Sequence, residues 1–126
     1  MAKVQVSTNQ APAAIGPYSQ GVAANGFVYV SGQLPIDPAT GNFAGDTIEA
    51  QAAQSLENVK SILAEAGLEM SDVVKTTVML KDIGDFAAMN AVYAKYFTGV
   101  CPARSAFQVA ALPKDALVEI EAIAVK

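Results

Sequence analysis

Apolar and polar positions recur along this chain with two different periods, and the switches between them mark out its elements. Residues 3–6 form a short candidate strand, and 9–19, with Pro12, Gly16 and Pro17, read as a loop. Two apolar runs, 20–24 and 27–34, flank Asn25-Gly26, the strongest short-range hairpin signal. In the second run Val28 and Val30 face one way, and Phe27, Tyr29 and Ser31 the other. Residues 35–45 are rich in turn formers; Asp46 followed by Glu49 has capping-box form and predicts a helix start. Ile48, Ala52, Leu56, Val59, Ile62, Leu63 and Ala66 then recur at helical spacing, with Gly67 as the C′ residue, so this helix reads as a cover for a sheet. Residues 73–81 are β-branched and predict a strand with Val74, Thr76, Val78 and Leu80 on one face. Asp82 or Asp85 caps a second helix running to about Phe97, whose stripe of Phe86, Met89, Tyr93 and Phe97 also carries Asn90. Two alternating runs, 103–110 and 117–125, close the chain on either side of a Leu-Pro-Lys-Asp turn.

Behind the short strand of residues 3–6, the order is β-β-α-β-α-β-β. This is an α+β class: a single mixed β-sheet with two helices on one face, in one domain spanning 1–126. One sheet face is left without helices. Alternation predicts that it carries Arg104 and Gln108 from one strand and Glu119 and Glu121 from another, with apolar residues between.

Composition narrows the function. Hydrophobic residues make up 52% of the 126 and charged ones 16%, with a mean hydropathy of +0.32. No apolar run approaches the roughly 20 residues that span a bilayer, so the surplus apolar surface points to a subunit interface and away from a membrane. A net charge of −4 and a pI near 4.6 disfavour binding to nucleic acid or anionic membrane. The start lacks a secretory h-region, and a single Cys fits a reducing cytoplasm, the expected compartment. Without His, a Ser-His-Asp or Cys-His unit is excluded, a zinc site nearly so, and no cofactor or phosphate-cradling motif occurs; none is expected.

The chemistry sits where charge interrupts apolar strands. Arg104, Glu119 and Glu121 are costly to bury unless paired or liganded. One reading is a structural Arg–Glu pair between neighbouring strands. The other is a site, with Arg104 gripping an anion through parallel hydrogen bonds and a Glu polarising water. Tyr18 is either a packed loop ring or a donor at a ligand; Ser31 is either a small residue with a local backbone bond or a contact beside Gly32, which lets a ligand or backbone approach closely. Asn90 on an apolar stripe needs partners, in a neighbouring loop or at a cleft. No strong nucleophile has its own base. This inventory suits addition of water to an already reactive carbon beside a carboxylate, as in imine hydrolysis.

Four blocks carry a resemblance over essentially the whole chain: GPYSQ at 16–20, VSGQLP at 30–35, DFAAMNAVYAKYF at 85–97, and PARS at 102–105 followed by LPKD and VEIEAIAV. In order and spacing they resemble the Rid family of reactive intermediate (imine) deaminases, also called the YjgF family. The resemblance implies a chorismate-mutase-like fold, a homotrimer with inter-subunit clefts, and hydrolysis of 2-aminoacrylate (2-iminopropanoate) and 2-iminobutanoate to 2-ketoacids and ammonia. It implies that Arg104 binds the substrate carboxylate, that Glu119 (rather than Glu121) orients water, and that Tyr18, Ser31, Gly32 and Asn90 line the substrate. One departure stands out. Many active members have Cys two residues after the Arg, where this chain has Ala106; Cys101 lies outside the strand and reads as an inert turn thiol. Two other functions are kept in view: a non-catalytic trimeric binder or sensor of small carboxylates such as 2-ketoacids, and an RNA-cleaving role attached to parts of the family, against which the acidic charge and absent His argue.

Overall fold

A computed structural model describes residues 2–126. Eight regular elements follow one another: β1 (Val4–Val6), β2 (Gly21–Ala24), β3 (Phe27–Gln33), α1 (Ile48–Glu65), β4 (Val73–Leu80), α2 (Phe86–Tyr93), β5 (Ala103–Gln108) and β6 (Val118–Val125). The six strands form one sheet in the order β1-β2-β3-β6-β4-β5. All neighbours are antiparallel except β4 and β5, which run parallel because α2 carries the chain back between them. This is the expected α+β architecture, with both helices on one face of a mixed sheet. No helix among the described residues is long and apolar enough to cross a membrane.

The core lies between that face and α1. Leu56, Val59, Ile62 and Leu63 of the helix and Val118, Ile120 and Ala124 of β6 are fully or almost fully buried. Helix α1 is capped at its start by Thr47, whose side chain accepts from the Ala50 N–H, so the predicted Asp46–Glu49 box is one residue out of register. Its end follows the prediction: Gly67 takes φ +79°, and Gly67 and Leu68 donate back to the Ala64 and Leu63 carbonyls. In the second helical region Asp82, not Asp85, makes the side-chain cap bond. Asp82 accepts from the Gly84 N–H to start a 3₁₀ turn, α2 begins after Asp85, and regular helix ends at Tyr93, short of Phe97.

Two corrections concern which way side chains point. A register shift between Val73 and Lys75 puts Val73, not Val74, in the core; Val74 is exposed. More consequentially, β5 and β6 are not neighbours, because β4 lies between them. Parallel register pairs Thr76 with Arg104 and Leu80 with Gln108, and Thr76 and Leu80 are buried on the helix side. Arg104 and Gln108 therefore share the helix face, whereas Glu119 and Glu121 pair with Met79 and Thr77 on the open face. The expected cluster of all four on one face, and the alternative of an Arg–Glu pair between neighbouring strands, both fail for this reason.

Candidate active site

Two clusters, on opposite faces of the sheet, hold the predicted residues. The first is a cleft of about 690 Å³ at the open-face end of β3 and β6, bringing together Tyr18, Ser31, Gly32, Glu119 and Glu121, with Lys114 at its rim. A register shift between Val30 and Gln33 opens β3 beside β6 there. Gly32 occupies the gap, and its lack of a side chain leaves room for the Glu119 carboxylate: a Cβ at Gly32 would overlap Oε2 and lie 3.0 Å from Cδ and 3.3 Å from Cγ. The two residues therefore form one unit. Burial pushes the Glu119 carboxyl above its ordinary range, and the Glu121 charge adds to the shift. Among the described residues no donor hydrogen-bonds to Glu119, so both carboxylate oxygens are available to water or a ligand.

Loops held by buried amides build the walls. Gln20, 3% exposed, accepts from the Thr8 N–H at 2.7 Å and donates to the Ala11 and Pro12 carbonyls, fixing the segment leading to Tyr18. Ser31 Oγ donates to the Ser19 carbonyl at 2.6 Å, tying the Tyr18 loop to β3. Asn58 of α1 donates to the Leu34 and Ile36 carbonyls, and Gln51 donates to the Gly45 carbonyl while accepting from the Leu117 N–H. The view of α1 as a plain cover misses this. Gln51, Ser55 and Asn58 stand on its buried face, and the argument that singles out Asn90 applies to them equally. Tyr18 is half exposed at the mouth of the cleft.

The second cluster is a cationic one. Arg104 Nη1–H donates to Asn90 Oδ1 at 2.6 Å, and the guanidinium lies 4.8 Å from the Tyr93 ring centroid and 5.3 Å from that of Phe86. Phe86, Asn90 and Tyr93 are successive positions of one α2 stripe, so Asn90 serves Arg104 rather than a neighbouring loop. Among the described residues the sole ion pair is Lys81–Asp115. Arg104 therefore keeps its charge without an anion, with most of its five N–H donors unspent. A partly buried Arg held only by neutral groups is suited to receive a carboxylate. Cys101 is exposed, apart from the Arg104 strand, and no group of three or more His, Cys, Asp or Glu among the described residues could hold a metal ion.

A family model described as Endoribonuclease L-PSP matches residues 8–126. The chain belongs to the Rid (YjgF) family. Its similarity to individual Rid proteins is high over nearly the full length. It is 56% identical to the 2-iminobutanoate/2-iminopropanoate deaminase of Salmonella typhimurium, covering 96% of both chains. A Rid family protein of unknown function from Yersinia pestis superposes with a TM-score of 0.97 at 48% identity, covering 99% of this chain and 100% of that one. Escherichia coli TdcF, solved with bound serine, superposes with a TM-score of 0.93 at 48% identity, covering 98% of each.

Proposed function

We propose that this Rid protein hydrolyses small 2-imino acids to 2-ketoacids and ammonia, with each active site completed between two copies of the chain. The observation that carries the reading is the pairing of an Arg without an anion, Arg104, with an unbonded, partly desolvated carboxylate, Glu119, on a fold whose relatives include a named imine deaminase. The two groups lie on opposite faces of one sheet, so a single chain cannot aim both at one small ligand. A homotrimer resolves this. The open face, with exposed Phe27, Tyr29 and Phe107, packs against neighbours, and β5 of one copy brings Arg104 to the Glu119 cleft of the next.

In the completed site Arg104 clamps the substrate carboxylate and places the imine carbon near Glu119. The Glu119 carboxylate holds a water, takes a proton from it as its oxygen adds to the C=N carbon, and passes that proton to the nitrogen; it then takes the carbinolamine hydroxyl proton and delivers it to the amino nitrogen as the C–N bond breaks, leaving ketoacid and ammonia. Tyr18 covers the mouth. The imine carbon is reactive enough to need neither a covalent nucleophile nor a cofactor, so Ala106 in place of the family Cys is compatible with turnover. The net charge of −4 and the absence of His favour an imino acid over RNA.

The test is a competition assay. An amino-acid oxidase generates the imino acid, semicarbazide traps it, and the protein diverts it to ketoacid. Wild type suppresses trapping, and Arg104→Ala loses about tenfold or more in kcat/KM. Saturable 2-ketoacid binding without suppression of trapping would establish instead a non-catalytic carboxylate binder.

A further inference from the structure

We infer that the buried hydroxyl pair of Thr76 and Tyr93 is a positioning device for Arg104, holding its guanidinium ready for a carboxylate before ligand arrives; the inference rests on the proposed carboxylate-binding role of Arg104. Thr76 is 1% exposed and Tyr93 7%, and their oxygens are 2.7 Å apart. Thr76 lies directly beside Arg104 in the β4–β5 register, on the face that Val78 and Leu80 fill with apolar side chains. A valine there would suit the core better, since a buried hydroxyl is costly without a partner. Its partner is the ring that lies over Arg104.

The bond closes a loop of contacts. Thr76 holds the Tyr93 hydroxyl, Phe97 backs the Tyr93 ring at 4.6 Å between centroids, the ring supports the guanidinium, and the backbone ladder returns from Arg104 to Thr76. Asn90 then takes one guanidinium edge. An Arg side chain has several soft torsions, and ordering them on binding weakens affinity. Here the ordering is done by the fold, by neutral groups that leave the cation unneutralised. Tyr93 and Thr76 touch no reacting atom; they act through Arg104.

The experiment compares Tyr93→Phe, Thr76→Val, their double variant and Thr76→Ser in the full-length chain. Two readouts are used: guanidinium Nε–H exchange of Arg104 by NMR without ligand, and KM against kcat for imine hydrolysis. Tyr93→Phe and Thr76→Val should each speed Arg104 exchange and raise KM about five- to tenfold with kcat within about twofold. The double variant should be no worse than either single, and Thr76→Ser should restore both readouts. In an Arg104→Ala background Tyr93→Phe should leave KM unchanged. Lowered thermal stability with unaltered Arg104 exchange and KM would overturn the inference, as would further loss in the Arg104→Ala background. If wild type shows no imine hydrolysis, the proposed activity fails, and Arg104 exchange alone decides: faster in Tyr93→Phe upholds positioning, unchanged overturns it.

Discussion

Replacing Gly32 by alanine isolates the Glu119 carboxylate without touching it chemically. The backbone at Gly32 lies outside the left-handed region, so alanine adopts it without strain, and the atoms nearest the added methyl all belong to the Glu119 side chain. The new Cβ would overlap Glu119 Oε2 and sit tightly at 3.0 Å from Cδ and 3.3 Å from Cγ, so the carboxyl end must swing away. A displaced or off-rotamer side chain costs about 1 kcal/mol, which for a chain of this size lowers Tm by roughly 3–5 °C. The effect on turnover is larger, because about 1 Å of misplacement of a catalytic group costs on the order of 10²-fold. The competition assay should therefore show kcat/KM for Gly32→Ala reduced about 100-fold alongside a small change in Tm. Combined with Glu119→Gln it should add little, since both changes strike one group. Near-normal turnover by Gly32→Ala with an unchanged Tm would refute the coupling of Gly32 to Glu119, and near-normal turnover by Glu119→Gln would remove Glu119 as the water-orienting base.

Other measurements test separate parts of the argument. Glu119 must be ionised to act as base, and its carboxyl is raised by burial and by Glu121, so the acid limb of kcat/KM should lie above the ordinary carboxylate range and move down in Glu121→Gln. The same shift means that the folded state holds a proton the unfolded chain has released, so stability falls as pH rises through the raised value; Glu119→Gln should be more stable than wild type at neutral pH, with the advantage vanishing in acid below the unfolded carboxylate pKa. If each site takes Arg104 from one copy and Glu119 from the next, impaired Arg104→Ala and Glu119→Gln chains refolded together in equal amounts should rise to about one quarter of wild-type activity or more; no recovery in mixed trimers verified by native mass spectrometry would place both groups in one chain's site. Asn58→Ala strands the Leu34 and Ile36 carbonyls, which should cost about 2–3 kcal/mol in denaturant unfolding and raise KM by loosening the cleft wall.

Much of this molecule is legible in its residues alone. Asn25-Gly26 between apolar runs specifies the hairpin, and Asn25 and Gly26 do take positive φ, at 55° and 84°. The i, i+4, i+7 pattern of α1 and its Gly67 end define a helix whose stop obeys local hydrogen bonding. Alternation within 103–108 and 118–125 correctly separates the faces of each strand, because side-chain direction along a strand is a local property of the pleat. That property says nothing about which face of one strand matches which face of another. The shared face expected for Arg104 and Glu119 fails there: α2 returns the chain so that β5 lies parallel to β4, and β6 inserts on the far side of β4. The exchange of Val73 for Val74 in the core has the same origin, since a register shift depends on the partner strand. The positioning of Arg104 by Asn90, Tyr93 and Phe86, and of the cleft walls by Gln20, Gln51 and Asn58, joins residues distant along the chain. Local pattern can show that a polar side chain on an apolar stripe requires a partner, because burial makes an unpaired group costly; only the packing of helix against sheet decides which partner it meets.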